Sequence, residues 1–180
     1  MRPRGQIVVI VAVLLMVVLI FLAVVVDAGR LYIEQARLAR VAQAAADAGG
    51  SLVADQIVAF AATRQAEASA APCPTCTPTP DPQFAERWLT DGDRAQLVSP
   101  ALQTPVAALA LEYAQRNGIR ATGPQPATVE VSYPADYRFE AATIRVRVLI
   151  RRQAVILLAG LLGRELVELT GSGESEIRQR

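Results

Sequence analysis

The chain has 180 residues, about half of them apolar, and its 18 basic and 17 acidic residues give a formal net charge of +1. This balance excludes the broad basic surface of a nucleic-acid-binding protein. The chain has no histidine, and every basic residue is an arginine. It therefore lacks the histidine of Ser-His-Asp and Cys-His systems and the lysine of phosphate-binding loops and Schiff bases. We expect a protein that is not an enzyme and needs no cofactor or metal.

A long apolar segment lies near the N-terminus. Residues 7–26, IVVIVAVLLMVVLIFLAVVV, contain no charge, proline or glycine. As a helix rising about 1.5 Å per residue they would be about 30 Å long, which matches the hydrocarbon core of a bilayer. The segment therefore predicts a transmembrane helix in contact with lipid. The alternative is a helix buried in a protein core, but such helices are usually shorter and interrupted.

The residues on either side of this segment indicate which end of the predicted span lies on the cytoplasmic side of the membrane. Residues 1–6, MRPRGQ, form a basic leader, and Arg2 and Arg4 favour the cytoplasmic side. More arginines follow the span, but a long domain crosses the membrane with little regard to its charge. We expect a single-pass protein of the cytoplasmic membrane with its N-terminus inside and its C-terminal domain outside. A cleaved secretory signal is the alternative, although its apolar region normally has about 7 to 15 residues.

The span is predicted to continue into a helical stalk over residues 27–71. An amphipathic helix extends to about residue 48, where Gly49 and Gly50 predict its end, and a second helix follows over residues 51–71. Small side chains on the first helix would allow close approach of either its own domain or another copy of the protein. This helix-packing face comprises Ala28, Leu31, Leu38, Ala42 and Ala45.

A proline- and threonine-rich loop, PCPTCTPTPDP, is predicted over residues 72–82 and contains Cys73 and Cys76. A redox-active pair would be expected at the start of a helix that follows a strand. A zinc site would need two further ligands, and the chain has no other cysteine and no histidine. In an oxidising compartment, a local disulfide between the two cysteines is the interpretation that we favour.

Residues 83–180 are predicted to form a small α+β domain. Residues 83–99 begin as a short helix and then form a solvated turn around Gly92, and a helix over residues 104–117 has Thr104 as its cap and ends at Gly118. The apolar face of this second helix would comprise Val106, Leu109 and Tyr113.

Alternating apolar and polar residues then predict strands over residues 127–133 and 142–152, paired antiparallel. A short helix packed on the sheet is predicted over 154–162, and a last strand over 165–177. The fold class is therefore α+β: a transmembrane helix, a helical stalk, and an antiparallel sheet with packed helices.

Three arginines share one face of the second strand. They could bind an anion or a lipid headgroup, but an exposed sheet face paired with Glu130 or Glu140 is the commoner arrangement. Carboxylates such as Glu130 and Asp136 could also carry acid-base chemistry, although no spacing singles out a catalytic pair. The three residues are Arg145, Arg147 and Arg151.

The run RGQIVVIVAVLLMVVLIFLAVVVDAGRLY, followed by VAQAAADAGGSL, resembles the N-terminal segment of TadE/TadG-like proteins of the Flp (Tad, tight-adherence) pilus assembly system. In that family a basic, glycine-containing leader precedes the span, an acid-small-Gly-Arg-Leu-Tyr run leaves it, and a Gln-Ala-Ala-Asp-Ala-Ala-like segment follows. The resemblance covers residues 4–52. The matching positions are Arg4, Gly5, Asp27, Gly29, Arg30, Leu31, Tyr32, Gln43, Ala44, Ala45, Asp47 and Ala48.

The resemblance implies a structural or assembly component of a pilus, a pseudopilin-like or accessory subunit that packs its N-terminal helix against other pilus subunits or its own copies. Pilin-like members are cleaved after a glycine, which would place processing between Gly5 and Gln6. They also carry a glutamate five residues into the mature chain, and residues 6–10 contain none. The long integrin-like domain of large members is not expected in 180 residues. The alternative is a membrane-anchored envelope protein whose outer domain binds a ligand or the cell wall.

Overall fold

The computed structural model describes residues 4–70, 89–123, 125–136, 143–156 and 166–178 of the chain. Three helices precede three strands along the chain, so the predicted α+β class is confirmed. The helices are α1 (Arg4–Ala70), α2 (Asp91–Leu97) and α3 (Pro100–Arg116), and the strands are β1 (Ala127–Ser132), β2 (Thr143–Val155) and β3 (Leu166–Arg178).

Helix α1 runs without interruption through Gly49 and Gly50, so the predicted helix end at these glycines is wrong. A Cβ added at Gly49 would lie 3.0 Å from Cγ1 of Val146, and one added at Gly50 would lie 3.0 Å from Cβ of Ser175. The glycines are therefore needed where the helix meets the sheet closely. A glycine inside a helix costs about 1 kcal/mol relative to alanine, and here the close packing offsets that cost.

The three strands form an antiparallel sheet in the order β1-β2-β3, which confirms the predicted antiparallel pairing. Strand β2 lies in the centre, and its Val148 is paired with Val131 of β1 and with Gly173 of β3. The strand runs to Val155, so residues 154 and 155 are not the start of a helix as predicted. Residue 156 is not helical either, and residues 157–162 of that predicted helix lie outside the described residues.

Helices α1 and α3 cover one face of this sheet. Side chains along β2 alternate, and Ile144, Val146, Val148 and Ile150 point inward and are almost completely buried. They pack against α1 over a length that includes Leu38 and Ile57 in two adjoining apolar clusters. The segment of α1 that follows the apolar span thus forms part of the same core as the sheet.

Helix α3 differs from its prediction at its start and on its buried face. It begins at Pro100 after Ser99, not at Thr104, and its end before Gly118, which has a φ of 84°, is confirmed. The residues of α3 that contact the core recur every fourth position, whereas Tyr113 is 39% exposed. Alanines at these positions allow α3 to lie close to the other elements. The buried positions are Val106, Ala110 and Ala114.

Helix α2 replaces the predicted solvated turn around Gly92. Thr90 caps it, because its hydroxyl accepts a hydrogen bond from the Asp93 amide at 3.2 Å and its own amide donates to the Asp93 carboxylate at 2.9 Å. Arg64 of α1 donates two hydrogen bonds to the same carboxylate, at 2.9 and 3.0 Å. These bonds from Arg64 and then from Thr90 hold the pKa of Asp93 well below its usual range. Asp93 therefore connects α2 to α1 as a buried carboxylate.

Candidate functional site

The apolar segment at the N-terminal end of α1 has almost no contact with the rest of the described protein. The described residues contain one helix that is long and apolar enough to cross a membrane, and none of its apolar window is buried. Large side chains such as Leu14 and Phe21 are 64% and 69% exposed. Water-soluble monomers rarely expose an apolar surface of this extent. The segment therefore fits a membrane anchor.

The helix changes its surroundings abruptly at Asp27, the first charged residue after the apolar segment. Asp27 is 7% exposed and lies at a cavity of about 140 Å³ between α1 and the end of β2. The cavity wall also includes Arg30, Glu34 and Arg152. A polar cluster thus lies where the apolar segment joins the folded domain.

An ion pair in this cluster joins α1 to the central strand. The guanidinium of Arg152 donates to the carboxylate of Glu34 through Nη1, and its Nη2 lies 3.5 Å from the carbonyl oxygen of Gly118. The side chain of Arg152 is only 6% exposed and that of Glu34 is 26% exposed. Removing one member of a buried pair leaves the other charge without compensation and costs roughly 3 to 5 kcal/mol. The pair therefore fixes the helix to the sheet beside the apolar segment.

Arg152 was not predicted as a site residue, although the sequence contains a signal for it. It lies two positions after Ile150 in β2, and alternation places it on the inward face. The two arginines at positions 151 and 152 are adjacent in sequence but lie on opposite faces of the sheet. A buried arginine requires an acidic partner, which the helix supplies 118 residues earlier as Glu34.

The outer face of the sheet carries the three arginines that were predicted to share one side of β2. Arg147 donates to Asp136 at 2.7 Å and to Glu174 at 3.2 Å, and these bonds raise its pKa. Arg151 lies 3.3 Å from Glu130, and Arg145 lies 3.3 Å from Glu174. The interpretation as an exposed face with paired charges is confirmed for Glu130, whereas Glu140 lies outside the described residues.

The residues of the predicted helix-packing face have different surroundings. Leu38, Ala42 and Ala45 are completely buried and belong to the cluster that α1 forms with the sheet. Leu31 is partly buried against the same cluster, and Ala28 is exposed. The geometry thus brings most of this face against the protein's own domain. Packing of another subunit on these positions stays a prediction.

Other predicted site residues are placed only in part. Gly5 and Gln6 belong to the first turn of α1, and cleavage between them stays a prediction. Cys73 and Cys76 lie outside the described residues, so their disulfide also stays a prediction. In the described ranges, no group of three or more histidine, cysteine, aspartate or glutamate residues is arranged to hold a metal ion.

The N-terminal helix is similar to part of a known protein family. Residues 5–71 match the family model described as "Putative Flp pilus-assembly TadE/G-like". No curated protein and no solved structure matches the chain significantly. The matched segment coincides with α1, Arg4–Ala70, and so contains both the apolar segment and the part that packs on the sheet. Over this segment the chain is similar to the TadE/G-like family of Flp pilus-assembly proteins.

Proposed function

We propose that this protein is a structural or assembly component of a Tad-type pilus, a pseudopilin-like or accessory subunit without enzymatic activity. Residues 7–26 cross the cytoplasmic membrane once, with the N-terminus inside and the sheet domain outside. The observation that carries this proposal is the coincidence of the family match with one uninterrupted helix, in which the exposed side chains of residues 7–26 are all apolar.

The mechanism follows from how α1 is divided between two environments. Its later part is held by the sheet through Leu38 and Ala42 and by the Arg152–Glu34 ion pair. Residues 7–26 present an apolar surface without polar side chains, which suits packing against lipid and against the helices of other subunits. Because the helix is continuous, a movement of the span within the membrane or filament base is transmitted directly to the outer domain.

A fractionation experiment tests this role. Surface filaments are sheared from the native cells and separated from membranes, and the intact mass of the protein is measured in each fraction. Recovery in filaments, shortened to begin at Gln6, identifies a processed minor subunit. Recovery in membranes with the leader intact identifies an assembly factor, provided that deletion of the protein abolishes filaments.

A matched pair of variants connects this role to the apolar segment. Leu15 and Val58 are both about 60% exposed on α1, but Leu15 lies in the middle of the apolar segment and Val58 lies beyond it. In a deletion strain, Val58→Arg should restore filaments, whereas Leu15→Arg should not, because a charge at the centre of a span opposes insertion. Wild-type amounts of filaments in the deletion strain itself would refute the pilus role and leave an envelope-binding protein as the explanation.

A further inference from the structure

The end of the sheet domain where β2 and β3 are joined lies level with the end of the apolar segment. Strand β3 runs in the same direction as α1, with Gly171 against Leu38 and Gly173 against Ala42. From Gly171 back to Leu166 the strand spans about 17 Å. The same distance along α1 corresponds to about eleven residues, counted back from Leu38 toward the N-terminus. Leu166 therefore lies near the level of Asp27, where the apolar segment ends.

The cavity at the junction supports this alignment independently. Its wall contains Asp27 and Leu31 from α1 together with Ala154 and Val155 from the end of β2. The joined ends of β2 and β3 are thus beside the first turn of α1 after the apolar segment.

Two apolar side chains are exposed at this end of the sheet. Val155 and Leu166 are directly paired across β2 and β3, and they are 63% and 53% exposed. They lie on the outward face, where the positions farther along β2 carry charged residues such as Arg147 and Arg151. The outward face therefore changes from charged to apolar at the level where α1 becomes apolar.

We propose that Val155 and Leu166, at the paired ends of β2 and β3, insert into the interfacial layer of the same bilayer that α1 crosses and give the domain a second membrane contact. The inference rests on the proposed transmembrane position of residues 7–26. Because α1 is packed rigidly on the sheet, two contacts with one bilayer fix the angle of the domain relative to the membrane. The polar cluster around Glu34 and Arg152 then lies at the level of the lipid headgroups.

Site-directed spin labelling of the full chain in lipid vesicles tests this contact. Single cysteines are introduced as Val155→Cys, Leu15→Cys and Val58→Cys in a Cys73→Ser, Cys76→Ser background, and circular dichroism verifies the fold of each variant. Collision of each label with oxygen, which concentrates in lipid, is compared with collision with a water-soluble nickel chelate. If Val155→Cys does not fold, Leu166→Cys takes its place.

The label at position 155 should be more accessible to oxygen than to the nickel chelate, at a shallower depth than the label at position 15. The label at position 58 should be accessible mainly to the chelate. If position 15 is in lipid and position 155 is in water, the second contact is refuted and the span stands. If position 15 is in water, the span itself is refuted.

A second copy of the protein is the other way to cover Val155. In that case the spectrum of the label at position 155 would be broadened by a neighbouring label, and dilution with unlabelled protein would remove the broadening. This result, together with low accessibility to oxygen, would overturn the membrane contact.

Discussion

The close approach of α1 to the sheet at Gly171 gives the sharpest test of the fold. A Cβ added at this position would lie 2.6 Å from the backbone nitrogen of Ala39 and 2.7 Å from Cβ of Leu38. Ordinary contacts begin at 3.4 Å, so Gly171→Ala requires the strand or the helix to move by about 0.8 Å or more. A rotamer change cannot relieve the overlap, because the obstructing atoms belong mainly to the helix backbone.

The expected cost follows from this geometry. Overpacking of a well-packed core typically costs about 1 to 3 kcal/mol, and an obstacle of backbone atoms favours the upper part of this range. For a domain of this size, 1 kcal/mol corresponds to about 2 to 4 °C in Tm, so Gly171→Ala should lower Tm by roughly 5 to 10 °C. The intrinsic preference of a strand for alanine over glycine acts in the opposite direction. A loss of stability would therefore be due to crowding.

The assay is thermal unfolding of the full chain in mild detergent, followed by circular dichroism. The control is Gly29→Ala on α1, where an added Cβ meets no atom within 4 Å. Alanine stabilises a helix by about 1 kcal/mol relative to glycine, so the control should keep or raise the wild-type Tm. If Gly171→Ala unfolds at the wild-type temperature, α1 does not lie on β3 as closely as described.

Three further predictions concern other contacts of the domain. Arg152→Met should lower the free energy of unfolding by roughly 3 kcal/mol. A double-mutant cycle with Glu34→Gln should show that the effects of the two substitutions are coupled, and additive effects would refute the ion pair. Because folding lowers the pKa of Asp93 below its unfolded value of about 3.9, its carboxylate stabilises the protein above about pH 4, and this contribution is lost as the pH falls. Asp93→Asn should therefore flatten the fall of Tm between about pH 5 and pH 3, and an unchanged pH profile would contradict the bonded geometry. On α3, Ala110→Leu should lower Tm by several degrees because Ala110 is fully buried, whereas Tyr113→Ser should change Tm little because Tyr113 is exposed. If thermal unfolding shows the larger loss of Tm for Tyr113→Ser, the face of α3 that contains Tyr113 is the buried one.

Local patterns predicted a large part of the fold. The apolar run of residues 7–26 predicts a helix long enough for a bilayer, and the alternation along β2 predicts which of its side chains are buried. The start of α3 was missed because Thr104 and Pro105 together are typical of a helix start. In the structure Pro105 lies inside the helix, and Thr104 bonds back to the carbonyl oxygen of Pro100. Both arrangements satisfy local rules, so only packing decides between them.

The candidate site was predicted less completely, for a related reason. The helix-packing face was identified from its spacing, but the sequence does not state whether Leu38 and Ala42 meet the protein's own sheet or another subunit. In the structure they meet the sheet. Arg152 was missed because an arginine next to Arg151 is typical of an exposed charged edge, and its partner Glu34 is distant in sequence.

The sequence by itself determined the apolar segment, the antiparallel strands and the resemblance of residues 5–71 to the TadE/G-like family, because each depends on residues that are close together in the chain. Only the tertiary structure decided that Gly49 and Gly50 lie inside one continuous helix. Glycine is present at these positions because Val146 and Ser175 of the sheet lie close to the helix backbone there. Tertiary packing alone also brings the joined ends of β2 and β3 level with the end of the apolar segment. A local pattern specifies the direction of a side chain, whereas its neighbour across the core depends on how distant elements pack together.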